Sequence, residues 1–200
     1  MKRITFKLHG DSTLLMHNPA GMRVPSTGKG LETKKIPLPE EEAKASLYQN
    51  LVDETLYVPA VAVRNAMLSG AKGARIGKVG AATILAGAIL LVEERFKLVR
   101  DGEPLKTYDV IDTRRVVVQR QGIVRSRGAI ILPWTVECVY DFNDALMGLN
   151  YTPVQQALEN AGQLVGLLDY RPEKKGWFGR FQCSDFVLEG EVPDLNEGQA

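Results

Sequence analysis

The chain has 200 residues, 44% of them hydrophobic, and its 25 lysines and arginines against 24 aspartates and glutamates leave a formal net charge of +1. That length suits one domain, or one core with a large insertion. The near-neutral total excludes a chain that coats polyanions by bulk charge, so a nucleic-acid surface must come from uneven placement of its basic residues.

Ile4, Phe6 and Leu8 alternate with polar or charged neighbours, which predicts a strand over residues 2–9 that continues or pairs through 13–16. It starts at once, without the continuous apolar run of a signal peptide. Residues 18–39 then carry Pro19, Gly21, Pro25, Gly28, Gly30, Pro37 and Pro39 among few large apolar residues, the signature of a long excursion from the core. Loops of that length are functional or disordered. Residues 40–51 read as a helix with acids in its first turn, where the helix dipole favours them.

Val58-Pro59-Ala60 opens a second helix that reaches about Arg75, with proline at the first helical position, where its missing N–H costs nothing. Val63, Met67, Ala71 and Ala74 form its buried stripe. Arg64, Lys72 and Arg75 fall beside that stripe within about one quadrant, able to face a shared ligand. With Lys78 they make residues 64–78 basic without a single acid. Residues 84–94 and 96–99 then read as strands, the first apolar and central. The alternative for residues 80–91 is a buried helix, which their alanines permit. The apolar run over 80–92 is too short to span a bilayer.

Residues 105–128 are a second excursion, whose β-branched run favours extended chain and whose Gly122 suits a bend, so a protruding hairpin is expected. Arg114, Arg115, Arg120, Arg125 and Arg127 crowd residues 113–127 with no acid among them. Arg125 and Arg127 point the same way on a strand. Contact with phosphates and pairing with distant acids are both open for these arginines.

Residues 130–142 read as a long strand with Trp134, Val136, Cys138 and Tyr140 on one face. Cys138 and Cys183 are the two cysteines, each in an apolar-alternating stretch, as expected of reduced core thiols in a cytosolic protein. Residues 152–164 are a helix with Thr152 as N-cap and Gln155 three residues on, a capping-box pattern, and Val154, Ala157, Leu158 and Ala161 form its buried stripe. Residues 166–181 follow as a basic turn punctuated by Gly166, Gly176 and Gly179, with Lys174, Lys175 and Arg180 beside them. Glycines let a backbone approach a ligand closely, and an anionic polymer or phosphate is the natural guest. The alternative is that these glycines only turn the chain while the charges are solvated. A last strand over 181–188 runs into residues 185–197, which hold five acids and no base. This tail keeps the protein soluble or occupies the basic groove until a ligand displaces it.

Stripped of its excursions, the order is strand, helix, strand, strand, helix, strand. The expectation is an α+β fold with a ferredoxin-like (RRM-like) βαββαβ core and an antiparallel sheet. Residues 1–200 would form one domain, with insertions at about 18–56 and 105–128 and an acidic tail at about 189–200.

With its long loop after the first strand, arginine-rich central insertion and glycine-rich loop after the second helix, this layout resembles the RAMP superfamily of CRISPR proteins, nearest to the effector backbone subunits. The resemblance rests on residues 15–18 and the loop after them, on Tyr57-Val58-Pro59-Ala60 and its helix, and on residues 166–181. It departs from the family at Leu168 and Asp169, where glycine is more usual. Phage proteins of similar layout are the other branch of the likeness. What the resemblance implies is an RNA-binding sheet face, a thumb-like insertion between adjacent copies and head-to-tail assembly along a guide.

The expected function is therefore a non-enzymatic subunit that binds single-stranded RNA. Its partners would be copies of itself and other CRISPR effector subunits, with single-stranded DNA the ligand of the phage alternative. Arg64, Lys72, Arg75, Arg114, Arg115, Arg120, Arg125, Arg127, Lys174, Lys175 and Arg180 would meet phosphates. Trp177, Phe178 or Tyr108 would stack on bases, a mode that tolerates any sequence. The enzyme alternative is RNA processing by His17, since related endoribonucleases place a histidine early in the chain. A lone histidine at a strand end is more often structural or solvated, and no second base or nucleophile has supporting spacing. Some backbone subunits cut target RNA with an aspartate in the early loop, and residues 18–39 contain none. No metal or nucleotide motif is present, so no cofactor or metal is expected, and the protein is expected to be cytoplasmic and away from membranes.

Overall fold

In β1 (Lys2–Gly10), Ile4, Phe6 and Leu8 turn to one side and are buried, as their alternation demands. The computed structural model describes residues 1–21, 37–118, 121–146 and 151–191. After β1 the chain forms β2 (Leu14–Leu15), α1 (Pro39–Ala45), β3 (Tyr57–Pro59), α2 (Ala60–Gly70) and the short pair β4 (Arg75–Ile76) and β5 (Val79–Gly80). Next come α3 (Ala81–Ala88), β6 (Ile89–Leu91), β7 (Arg95–Arg100), β8 (Glu103–Pro104), β9 (Val110–Val118) and β10 (Gln121–Ile130). β11 (Thr135–Phe142), α4 (Thr152–Asn160) and β12 (Phe181–Glu191) complete the order. The fold is α+β, with a mostly antiparallel sheet and four α-helices among the described residues.

The main sheet runs β12–β1–β11–β7–β3, with β6 beside β11 and β8 beside β7. β1 and β11 are its centre, registered so that Ile4, Phe6 and Leu8 lie opposite Tyr140, Cys138 and Val136. These side chains share one buried face and stack on it: the rings of Phe6 and Tyr140 lie 6.0 Å apart, and Phe96 meets Tyr140 edge-on at 5.3 Å. The Tyr140 hydroxyl, buried with them, donates to the Ala60 carbonyl at 2.8 Å and ties the sheet to the first turn of α2. On the other face Arg3 pairs with Asp141 at 3.0 Å.

α2 and α4 cover the buried face through Val63 and Met67 of the one and Val154, Ala157 and Leu158 of the other. Gly70 sets their spacing, because a Cβ there would lie 2.3 Å from the Ala157 carbonyl oxygen. No larger residue permits that approach.

Several expectations change. Pro59 is not the first helical residue: it ends β3 in extended conformation, and α2 stops at Gly70. Ala74 is consequently exposed and Arg75 lies on β4, so Arg64, Lys72 and Arg75 do not share a helix face. Residues 81–88 are helical, leaving only Ile89–Leu91 as strand, so the alternative reading of that apolar run holds. The stretch 130–142 is broken at the turn before β11. Tyr151 rather than Thr152 is the N-cap of α4. The helix ends at Asn160 in a π-helical turn, Ala161–Val165. Helix α1 is shorter than expected, ending at Ala45.

The second excursion is a hairpin, β9 against β10, with β2 on the other side of β10. Gly122 is not its bend, since it sits in the ladder opposite Val117. Helix α1 lies across β10, where Glu42 accepts from the Ser126 backbone at 2.8 Å and the Ser46 hydroxyl accepts from Gly128 at 2.9 Å. These contacts serve donors that α1 itself would otherwise bury. Among the described residues no helix is long and apolar enough to cross a membrane. Cys138 is buried and Cys183 partly so, both unbridged, and burial pushes the Cys183 thiol up to about 11.

Candidate nucleic-acid interface

After the π-helical turn, the glycine loop folds back onto residues 11–15 by backbone pairing. Leu167 N–H donates to Gly179 at 2.8 Å, Gly179 N–H to Thr13 at 2.9 Å, and Asp169 N–H to Leu15 at 3.1 Å. The glycines serve that closure. A Cβ at Gly176 would meet the Tyr170 carbonyl oxygen at 1.7 Å, and at Gly179, with φ +68°, the Leu167 oxygen at 2.1 Å. The close approach is therefore of the loop to itself, as in the alternative reading of the sequence.

Closure places Tyr170, Trp177 and Phe178 in one cluster. Trp177 lies 5.3 Å from Tyr170 and 5.4 Å from Phe178 between ring centres. Arg114, from β9, sits among the three rings, its guanidinium 4.9, 5.1 and 4.8 Å from Tyr170, Trp177 and Phe178. Phe178 is buried, whereas Trp177 is 57% exposed. Lys174, Lys175 and Arg180 are exposed on the same loop. Exposed cations and an exposed indole thus share one loop.

The expected arginines divide differently from the expectation. Arg114 pairs with Asp112 two residues before it, Arg125 with Glu42 at 2.7 Å and Arg127 with Asp169 at 2.7 Å. Pairing with acids beyond the arginine run is thus what these three do. Arg127 is only 2% exposed, which removes it from any phosphate site. Arg115 is exposed on the hairpin, and Arg120 lies outside the described residues. Arg64 donates to the Ile89 carbonyl at 3.1 Å and to that of Ala86, holding α2 to the end of α3. Lys72 reaches Glu173 at 3.5 Å and so borders the glycine loop. Tyr108 packs at the edge of the core, not on this surface.

Beside the aromatic cluster opens a cleft of about 490 Å3. His17, Tyr48 and Asn65 line it with Asp169 and Arg171. No pattern in the sequence singles out Tyr48, Asn65 or Arg171, and Asp169 stands out there only as a departure from glycine. The one local signal lies in the backbone: Leu168 and Tyr170, flanking Asp169, both adopt left-handed conformations, φ 57° and 46°. Bulky residues seldom do so, and the strain marks a segment held by its surroundings. Arg171 donates to the Leu168 carbonyl at 2.7 Å and to Glu173 at 2.8 Å, and this guanidinium holds the Glu173 carboxyl below its usual range.

His17 Nδ1 is buried, 3.9 Å from Asp169 Oδ2, with no hydrogen-bond partner among the described residues. Burial lowers its pKa from the ordinary 6.5, against the pull of Asp169 and with the push of Arg127 and Arg125. The unfolded chain then takes up this proton more readily than the folded one, so stability must fall as pH drops below 6.5 through the lowered folded value. We expect wild type to lose more melting temperature between pH 7.5 and pH 5 than His17→Asn, followed by circular dichroism. Equal losses would show that His17 does not couple protonation to folding.

No protein-family model matches the chain, and no curated protein matches it. Among the described residues no group of three or more His, Cys, Asp or Glu is placed to hold a metal ion.

Proposed function

We propose that the protein is a non-catalytic subunit that binds single-stranded RNA across the closed glycine loop, with copies aligned along the strand in the manner of CRISPR effector backbone subunits. The observation that carries this reading is the exposed Trp177, braced by Tyr170, Phe178 and Arg114 and flanked by Lys174, Lys175 and Arg180. A braced, exposed indole offers a stacking face to any base, and the neighbouring cations offer charge to the backbone. The strand order β12–β1–β11–β7, with α2 and α4 as the crossing helices, supports a ferredoxin-like core for this chain.

Because neutralised phosphates release counterions, affinity should fall with salt at a slope of about 0.7 per contact on single strands. Fluorescence anisotropy with a labelled RNA 20-mer is expected to show Lys174→Ala, Lys175→Ala and Arg180→Ala together flattening that slope by about 2. An unchanged slope removes the loop from the binding surface. The same mixtures, resolved on a gel with and without EDTA, should contain intact RNA. A product lost in His17→Ala would replace this reading with RNA cleavage in the cleft.

A further inference from the structure

The cleft beside the stacking surface joins an aromatic wall, an apolar wall and polar groups of complementary sense. Its volume, about 490 Å3, lies in the range of small-ligand pockets. The Tyr48 ring is fixed by its hydroxyl, which donates to the His17 carbonyl at 2.9 Å, and Val61 faces the cleft from α2. Arg171 has two of its five donors engaged, at Leu168 and Glu173, which orients the guanidinium and leaves donors for an anion. Asp169 accepts from Tyr170 N–H at 2.8 Å and pairs with Arg127, so its carboxylate keeps acceptor capacity for a further donor. Asn65 is exposed and can both donate and accept.

We propose that this cleft receives a single nucleotide and selects its base, with the phosphate on Arg171, the ring against Tyr48 and an exocyclic amino group donating to Asp169. The inference rests on the strand-binding reading, since the nucleotide is a unit of the bound strand. A carboxylate accepts from the amino group of cytosine and has nothing to accept from the carbonyl that uracil carries in its place. The cleft thus favours amino-bearing bases over uracil, a preference that the sequence-tolerant stacking at Trp177 does not supply.

The test is calorimetric titration of CMP, UMP and inorganic phosphate into the full chain. CMP should bind about tenfold or more tightly than UMP, the discrimination expected of one good base-edge contact. Ala62→Trp places a ring in the cleft from a partly exposed lining position and should abolish CMP binding, while the salt dependence of RNA 20-mer binding persists. Asp169→Asn, checked for folding by its melting curve, should bring the CMP and UMP affinities together. Equal binding of CMP and UMP by wild type, phosphate binding as tight as CMP, or CMP binding that survives Ala62→Trp would each overturn the proposal. Strand binding without CMP binding would overturn it too, leaving the proposed function intact. Selective CMP binding without strand binding would support the cleft and remove the strand reading.

Discussion

Replacing Arg127 with alanine is expected to lower the unfolding free energy by about 3 kcal/mol, near the low end for breaking a buried ion pair. The side chain is 3% exposed and that of its carboxylate partner, Asp169, about one-third exposed, so the loss is an internal pairing with a partner that water can partly rescue. Arg127→Met fills most of the vacated space with an apolar stem and should cost less, about 1 kcal/mol. Chemical denaturation of the three proteins decides it. A cost below about 0.5 kcal/mol for alanine, the range of ordinary surface changes, would mean that Arg127 is solvated in solution and returns to the list of phosphate ligands.

Gly179→Ala should cost about 3 kcal/mol or more, from left-handed strain of about 1–2 kcal/mol and an overlap on top of it. The added Cβ would sit 2.1 Å from the Leu167 oxygen, at the pairing that closes the loop. For a chain of this size the melting temperature falls about 2–4 °C per kcal/mol, so a drop of roughly 6–12 °C is expected. RNA affinity should fall with it, because Trp177 is held by that closure. Gly77→Ala is the control, with φ +60° and nothing within 4 Å of the added Cβ, so only the strain remains. Equal costs at the two glycines would show that the loop is not closed as described.

What the sequence made legible follows from how locally each signal is encoded. Alternation in Ile4, Phe6 and Leu8 and in Val136, Cys138 and Tyr140 needs no partner to be read: β1 forms as expected, and of the second stretch the part over Thr135–Phe142 forms as β11. The stripe of α4 is legible for the same reason, and so is the extended arginine-rich hairpin. The fate of its arginines is not, because Arg125 meets an acid 83 positions away, and Arg127 one on the glycine loop. Only the tertiary fold brings those charges together. Residues 81–88 are apolar except for Thr83, and a run of that length carries too little period to separate helix from strand. The glycine loop was ambiguous in a different way. A missing Cβ serves a ligand's approach and a backbone's approach equally, and the latter is what Gly176 and Gly179 provide. The cleft left almost no trace in sequence, since Tyr48, Asn65 and Asp169 come from three separated segments.

Photocrosslinking tests most directly the proposal that RNA lies across the closed glycine loop. Irradiating the protein with a 4-thiouridine-containing RNA 20-mer at low salt and mapping the adducts by mass spectrometry should place them at Trp177 and the neighbouring residues of the loop. Adducts confined to the open sheet face around Arg3 and Lys7, or no RNA retained at low salt, would contradict the account.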